Sequence, residues 1–311
     1  MSTAAQVPQV TFAHVSGVSW PRSGHHLLVR LLTGYFGPAF VYCEHHVGRP
    51  TDPAIPACCR QSPCAHADRV VFTKNHDFAL AMPQLPGKRY LVQYRDFAPS
   101  VVSNFELAVR EGLEDTPESF RRFASERFTP YLDFLSKWVT SDFAQGEAVL
   151  PLPYEDLVSA PVEQLDRAVR HIAPGHVPDP ARLRAVVARV DAQRVADRKI
   201  EVLQNAGVHA SRDVTTFRFY DRPLFGLLGA LTLRRQEVAQ TFQDLLGRPP
   251  AEHNMLAFQA YETREALAAF IRSTPEYRNR QVSPAPPAEQ SPTPRKFTRK
   301  RHNDRLGCSQ T

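Results

Sequence analysis

The chain has 311 residues, of which 42% are hydrophobic and 23% are charged, so its composition is that of a folded protein with one large domain or two smaller ones. No run of about eighteen apolar residues occurs, and the N-terminus lacks the basic start and apolar core of a secretory signal. The sequence therefore predicts a cytoplasmic protein without a membrane span.

Charge is distributed unevenly along the chain. The formal net charge is +6, and residues 281–311 contribute six Lys or Arg against two acids. The basic pI of 9.2 therefore does not indicate a nucleic-acid-binding core, and we predict no specific nucleic-acid partner. Because this segment is rich in Pro and poor in apolar residues, it is predicted to be a disordered basic tail. Such a tail serves solubility or makes weak contact with an anionic surface.

Strand and helix patterns alternate over the first half of the chain. Apolar and β-branched runs predict strands at 12–19, 39–42, 69–73, 89–94 and 148–152. Helical spacing of apolar residues predicts helices from Gly24 onward and at 99–110, 117–139 and 161–172. This alternation predicts an α/β fold, with a P-loop-like parallel sheet flanked by helices on both faces. In such sheets, ligands bind at the carboxyl ends of the strands.

The strand pattern ends near Pro180. Helices are predicted over 181–204, 224–246 and 254–272, with a polar loop at 207–220 and a helix-breaking G-R-P-P segment at 247–250. We therefore expect an α/β domain over 1–222, a C-terminal helical appendage over 223–280 and the tail over 281–311.

The junction between the first strand and the first helix has the composition of an anion-binding loop. It runs Ser19-Trp20-Pro21-Arg22-Ser23-Gly24-His25-His26. A tight loop at a helix N-terminus directs backbone N–H groups at an anion, while Arg22 adds a charge and Ser23 a hydroxyl. No Lys follows Gly24, so this is not the G-x-x-x-x-G-K-[ST] loop of ordinary nucleotide-binding proteins. The alternative is a strand–helix turn capped by Ser and Gly.

Three further segments follow later strands. Lys74 and His76 stand two residues apart, so in an extended chain they point to the same side and pair a cation with a titratable base. Arg95 follows the strand at 89–94, and Ser103 lies in the next helix, an arrangement suited to clamping a phosphate. Tyr154 follows the last strand, where it can contact a base. Each segment also has a structural alternative, namely a solvated strand end, a helix cap at Asp96 or an ordinary corner aromatic.

Together, in this order, the four segments resemble the sulfotransferase superfamily, which uses 3′-phosphoadenylyl sulfate (PAPS). The W-P-R-S-G segment is similar to the family's 5′-phosphosulfate loop, usually Y-P-K/R-S-G-T-T, and Lys74-Asn75-His76 is similar to its K-T/S-H element. Arg95 with Ser103 resembles the pair that binds the 3′-phosphate. The resemblance covers about residues 12–172 and is nearest to a bacterial branch of the family.

The resemblance implies a set of roles for the matching residues. His76 is the base that activates an acceptor hydroxyl, with Lys74 and Arg22 stabilising charge on the sulfuryl and phosphate groups. The implied PAPS-binding residues are Pro21, Arg22, Ser23, Gly24, His25, His26, Arg95, Ser103, Tyr154 and Arg218. The sequence departs from the pattern twice. His25 and His26 replace the usual Thr-Thr, and the family's R-K-G loop has only Arg198-Lys199 and the stretch 213–220 as candidates.

The acceptor is not encoded in these motifs. A hydroxyl of a carbohydrate or lipid-linked glycan is the first expectation and a small-molecule alcohol the second. Residues 241–280 resemble a small helical module of unknown function that accompanies bacterial glycan-processing and surface-layer proteins, which favours a carbohydrate. The alternative functions are a P-loop-type nucleotide-dependent kinase, which needs Mg²⁺ and a loop Lys, and a non-enzymatic anion-binding adaptor, in which His76 has no role.

Cysteine and histidine are concentrated in the segment 43–66. We expect one of three states here: a structural zinc held by four residues, free thiols in a loop that lines the acceptor pocket, or a disulfide. The candidate zinc ligands are Cys43, Cys58, Cys59, Cys64 and His66.

Overall fold

Five parallel strands form the central sheet of the computed structural model, which describes residues 10–44, 50–197, 202–205 and 213–282. The strands are β1 (Val15–Ser19), β2 (Tyr42–Glu44), β3 (Phe72–Asn75), β4 (Arg89–Tyr94) and β5 (Val149–Pro153). Their order in the sheet is β2-β3-β1-β4-β5, and every neighbouring pair is parallel. The predicted α/β fold is thus confirmed, and all five carboxyl ends lie at one edge of the sheet.

Helices cover both faces of this sheet. They are α1 (His25–Phe36), α2 (Phe97–Arg110), α3 (Pro117–Leu135), α4 (Tyr154–Ser159), α5 (Pro161–Ile172) and α6 (Pro180–Asp191). On one face, α1, α5 and α6 bury an aliphatic core, represented by Leu28 and Val169. On the other face, α2 and α3 bury an aromatic core around Phe105 and Phe120. Helix α1 begins where the sequence predicted it, because Gly24 ends the loop and apolar residues then recur at helical spacing.

The prediction for residues 181–204 is wrong in its second half. Helix α6 ends at Asp191, and an antiparallel pair follows, β6 (Arg194–Asp197) and β7 (Val202–Asn205). The predicted loss of strands beyond Pro180 is therefore corrected as well. A charged composition predicts a helix here, but a short antiparallel pair of strands can have the same composition. The alternation of R-V-A-D fits a period of two as well as a helical turn.

The C-terminal region is all helical among its described residues. The helix predicted over 224–246 is interrupted, giving α7 (Arg222–Ala230) and α8 (Arg235–Leu246), and then α9 (Met255–Gln259), α10 (Arg264–Ser273) and α11 (Pro275–Val282). The interruption is held by the Gln259 carbonyl, which accepts hydrogen bonds at 2.9 Å from the backbone N–H groups of Thr232 and Leu233. Gly247, with φ of 63°, ends α8 as predicted.

These helices contribute to two separate cores. Helix α7 places Leu224 and Phe225 in the aromatic core of the sheet, whereas α8 and α10 share a second cluster around Val238 and Leu267. From residue 283 onward, the predicted tail lies outside the described residues. None of the described helices combines the length and apolarity needed to cross a membrane.

Gly17 of β1 occupies a site without room for a side chain. A Cβ atom there would overlap the Phe72 ring and lie 2.7 Å from the Thr73 carbonyl oxygen, a backbone atom of the neighbouring strand. We expect Gly17→Ala to lower the free energy of unfolding by roughly 1–3 kcal/mol, measured by urea denaturation. Gly226→Ala in α7 is the matched control, because its Cβ meets nothing within 4 Å. Equal unfolding midpoints for the two variants would contradict this packing.

Candidate active site

A cavity of about 470 Å³ lies where the carboxyl ends of the strands meet the first turn of α1. The structure brings nearly all of the sequence-predicted site residues to its walls. Those that line it are Pro21, Arg22, Ser23, Gly24, His25, His26, Lys74, His76, Arg95, Ser103 and Tyr154. Other lining residues lie outside the predicted set, among them Arg30, Phe78 and Arg127.

The loop at 20–24 has an unusual backbone. Arg22 and Gly24 have φ values of 65° and 79°, both left-handed. A Cβ atom on Gly24 would come within 2.5 Å of the Tyr154 ring, so glycine is required at this position by both its φ and its neighbour. For Arg22 the conformation is costly, and such strain persists where surrounding contacts enforce it.

Hydrogen bonds from two elements enforce this loop conformation. The Trp20 indole N–H donates to the Ser100 hydroxyl at 2.8 Å, and that hydroxyl donates to the Pro21 carbonyl at 3.1 Å. The Trp20 backbone N–H donates to the Gln93 carbonyl at 2.8 Å. The loop is thus held against α2 and β4 before any ligand arrives, which is the preorganisation that anion binding requires.

One corner of the cavity is cationic and is formed by Arg22, Arg95, Ser103 and Tyr154. The Arg22 Nε donates to the Ser103 hydroxyl at 2.9 Å, and an Arg95 Nη1 donates to the Arg22 carbonyl at 3.4 Å. The Arg95 guanidinium lies 4.3 Å from the centroid of the Tyr154 ring, a cation–π contact. Arg95 is only 6% exposed and lines the cavity, and its Nε lies 4.0 Å from the Glu155 carboxylate.

The chemistry of the lining favours an anion. Five lining residues are cationic, namely Arg22, Arg30, Lys74, Arg95 and Arg127, and none of the described lining residues is acidic. The Ser23 hydroxyl is buried and has no hydrogen-bond partner among the described residues. A buried polar group without a partner is rare in folded proteins, and here it marks a place for a ligand oxygen.

His76 follows β3 directly, and one hydrogen bond determines its tautomer. Its Nδ1 lies 2.7 Å from the Ser19 carbonyl oxygen, which can only accept, so Nδ1 carries the proton. In the neutral imidazole, Nε2 is therefore the basic nitrogen. The ring of Phe78 lies 5.1 Å from the imidazole and is 61% exposed. The geometry suits a base that acts on a molecule lying against Phe78.

Lys74 has an acidic partner that sequence reasoning missed. Glu44 pairs with Lys74 in the register of β2 and β3, and its carboxylate accepts a hydrogen bond from the Lys74 ammonium at 2.6 Å. Burial raises the pKa of Glu44, but the Lys74 hydrogen bond and charge outweigh it, so the pKa lies below its ordinary value. The strand had been predicted to end at Tyr42. Extending it to Y-C-E includes this acid in a strand, but only the pairing of β2 with β3 places it beside Lys74.

Two of the predicted site residues, His25 and Arg218, take positions that differ from those of the other predicted site residues. His25 lies beneath the loop, where its ring stacks on Phe72 and its Nε2 lies 3.0 Å from the Tyr42 hydroxyl. Burial, followed by the charge of Lys74, holds the pKa of His25 well below its ordinary value, so the ring is neutral near pH 7. Arg218 is not among the described residues that line the cavity, and its guanidinium pairs with Asp115 and Glu106. The alternatives Arg198 and Lys199 lie outside the described residues.

None of the described residues of the cysteine-rich segment lines the cavity. Cys43 and Cys64 are buried in a small apolar cluster with Ile55 and Val70, and Cys58 and Cys59 pack against it. All four are free thiols. Within the described part of the chain, no three or more His, Cys, Asp or Glu residues are placed to hold a metal ion. The structure therefore does not support the predicted structural zinc at these cysteines and His66.

Neither a protein-family model nor a curated protein matches the sequence. Among solved structures, the chain is similar to the mouse sulfotransferase SULT7A1 complexed with PAP, at 11% sequence identity and a TM-score of 0.43, over 79% of this chain and 89% of that one. It is also similar to the sulfotransferase domain from the curacin biosynthetic pathway, at 14% identity and a TM-score of 0.35, over 67% and 86% of the two chains. Likenesses this distant do not assign a function, which has to rest on the residues of the cavity.

Proposed function

We propose that this chain is a sulfotransferase that moves the sulfuryl group of PAPS to an acceptor hydroxyl. The observation that carries the proposal is the placement of His76. Its Nε2 is the basic nitrogen, and its ring forms part of a cavity wall that also holds five cationic side chains. A base beside a concentration of positive charge suits the transfer of an anionic group to a hydroxyl.

The residues of the cavity fit the anionic groups of PAPS. The backbone N–H groups of the loop, the unpartnered Ser23 hydroxyl and His26 are assigned to the phosphosulfate end. Arg95 and Ser103, joined through Arg22, are assigned to the 3′-phosphate. Tyr154 is assigned to the adenine. PAPS supplies an activated sulfuryl group attached to a phosphate leaving group.

The roles of the chain's own residues follow from their chemistry. His76 accepts the proton of the acceptor hydroxyl at Nε2, and its Nδ1–H bond to Ser19 stabilises the imidazolium that results. The Lys74 ammonium and the Arg22 guanidinium offset negative charge that develops on the sulfuryl and phosphate oxygens. The loop is already held in place, so this stabilisation needs little rearrangement.

The acceptor side of the cavity is assigned to the region of His76 and Phe78. An exposed aromatic ring beside the base provides a flat apolar surface for the C–H face of a sugar or for an aliphatic chain. We therefore keep a carbohydrate or lipid-linked glycan hydroxyl as the first acceptor class and a small-molecule alcohol as the second.

The test of this function is a transfer assay on the purified full chain. PAPS radiolabelled in the sulfuryl group is supplied with a panel of oligosaccharides, lipid-linked saccharides, alcohols and phenols. We expect label to move to at least one acceptor, and we expect no transfer from ATP labelled in its γ-phosphate and supplied with Mg²⁺. Phosphate transfer from ATP would instead identify a kinase. Binding of PAP, the desulfonated product, without transfer to any acceptor would favour an anion-binding adaptor.

Glu44 should oppose nucleotide binding through its ion pair with Lys74. In Glu44→Gln the ammonium loses its anionic partner and is available to a phosphosulfate, so we expect PAP to bind roughly three- to ten-fold more tightly, about 1 kcal/mol. Calorimetry on the two proteins measures this. Asp52→Asn is the matched control, because Asp52 pairs with Arg69 away from the cavity. Weaker PAP binding in Glu44→Gln would give the carboxylate a direct role in holding the ligand.

A further inference from the structure

The thiol cluster contains one pair of cysteines in direct contact. The sulfur atoms of Cys59 and Cys64 lie 3.7 Å apart, which is van der Waals contact. Cys59 is half-buried, whereas Cys64 is buried at 9% exposure. We propose that Cys59 and Cys64 are a redox-active dithiol, a modification site that forms an intramolecular disulfide when the protein meets a small-molecule disulfide such as oxidised glutathione.

Backbone hydrogen bonds hold the two sulfur atoms in this arrangement. The Ala65 N–H donates to the Cys59 sulfur at 3.4 Å, and the His66 N–H donates to the Cys64 sulfur at 3.4 Å. These hydrogen bonds hold the loop between Cys59 and Cys64 in a folded conformation, so the two thiols are in contact in the reduced protein. Forming the bond requires the sulfur atoms to approach each other from 3.7 Å to about 2.05 Å, which is less than a van der Waals radius.

Thiol–disulfide exchange needs one reactive thiol and one resolving thiol, and Cys59 and Cys64 differ in their pKa. Burial raises the pKa of Cys59, but hydrogen bonds from the backbone of Ala65 and Gln61 and from Cys64 outweigh it, so its pKa lies below the ordinary value. Burial is the main cause that raises the pKa of Cys64 to about 11. Cys59 is also the more exposed of the two, so it is the thiol that a small-molecule disulfide can reach, and the buried Cys64 in contact with it is the resolving thiol.

The reaction balances in two exchange steps. The Cys59 thiolate attacks one sulfur of oxidised glutathione, the glutathione S–S bond breaks, and one glutathione thiolate leaves. Cys64 then loses its proton to solvent and attacks the Cys59 sulfur, which releases the second glutathione. In total, two protein thiols are oxidised to one disulfide, and one glutathione disulfide is reduced to two thiols.

Cys43 and Cys58 provide the internal comparison. Cys43 is 1% exposed, and burial is the first cause that raises its pKa to about 12. Cys58 is half-buried like Cys59 and adjacent to it in sequence, but its sulfur accepts a hydrogen bond from the Arg60 N–H and its thiol interacts with that of Cys43. The proposal therefore requires the pair Cys59–Cys64, formed in preference to Cys43–Cys58 or any mixed pairing.

The test uses the folded full-length chain under native conditions. The protein is incubated with oxidised glutathione, remaining thiols are alkylated, and peptides are mapped by mass spectrometry. We expect the Cys59–Cys64 disulfide in wild type and a stable glutathione adduct on Cys59 in Cys64→Ser. We expect the initial rate of glutathione release to fall at least about ten-fold in Cys59→Ser and to change less than about two-fold in the control Cys58→Ser.

A second measurement needs no substitution and so does not depend on how the variants fold. In the wild-type protein, limiting iodoacetamide should alkylate Cys59 several-fold faster than Cys58 or Cys43, and this preference should vanish in urea. The proposal is overturned if native oxidation links Cys43 to Cys58 or gives no disulfide at all. It is also overturned if the purified chain carries about one zinc ion that oxidised glutathione releases, since the sulfur atoms would then be metal ligands.

Discussion

His76→Ala should lower the rate of sulfuryl transfer by roughly 10²–10⁴-fold, the usual contribution of a positioned general base. The Nδ1–H bond to Ser19 leaves Nε2 as the basic nitrogen, and the ring lies on the Phe78 side of the cavity. The imidazole therefore faces the assigned acceptor, so PAP affinity should stay nearly unchanged. The measurements are transfer of labelled sulfuryl to the best acceptor of the panel and calorimetry with PAP.

Neighbouring histidines provide the comparison for this result. His26→Ala should weaken PAP binding, because His26 follows the phosphate loop and lines the cavity. His25→Ala should do the same, because His25 directly follows the loop and its buried ring contacts Tyr42 and Phe72. If His76→Ala retained most of its turnover while His26→Ala lost it at normal PAP affinity, the base would have to be assigned to the loop.

Arg95→Ala should weaken PAP binding by roughly 2–4 kcal/mol, or about 30- to 1,000-fold. Arg95 is buried, stacks on Tyr154 and donates to the Arg22 carbonyl, so its loss removes both a charge for the 3′-phosphate and a support of the loop. Ser103→Ala should cost less, about 1 kcal/mol, because it removes one neutral hydroxyl.

Two variants separate the charge from the support. Arg95→Lys keeps the charge but loses the planar guanidinium, so we expect an intermediate affinity for PAP. Arg218→Ala removes an arginine that also packs on aromatic rings but is ion-paired with Asp115 and Glu106. If Arg218→Ala weakened PAP binding as much as Arg95→Ala, the 3′-phosphate would have to be reassigned toward Arg218.

Most of the residues that line the cavity could be predicted from the sequence, because the chemical motifs lie at the ends of segments whose pattern predicts strands. Each motif follows an apolar run, and the parallel sheet then brings the ends of β1, β3, β4 and β5 to one edge. Contacts across the sheet could not be predicted in the same way. Glu44 meets Lys74 only because β2 and β3 are neighbours in a given register, and no local pattern encodes which strands pair.

Other differences arise where local patterns permit two outcomes. Residues 194–197 and 202–205 include charged side chains that suit a helix, yet they form two antiparallel strands. The helix expected over 224–246 is interrupted because a distant carbonyl, that of Gln259, accepts two backbone hydrogen bonds from the interruption. The cysteines allowed zinc, free thiols or a disulfide by composition. Their placement, with Cys59 against Cys64 in an apolar cluster, depends on the fold of the segment 50–70.

Calorimetry with three nucleotides tests the central claim most directly. PAP and adenosine 5′-phosphate differ only in the 3′-phosphate, and ATP represents the nucleotide of a kinase. The cationic corner formed by Arg22, Arg95 and Ser103 predicts that PAP binds at least about ten-fold, or 1.4 kcal/mol, more tightly than either of the others. ATP binding more tightly than PAP, or equal affinity for PAP and adenosine 5′-phosphate, would contradict the assignment of this cavity to PAPS.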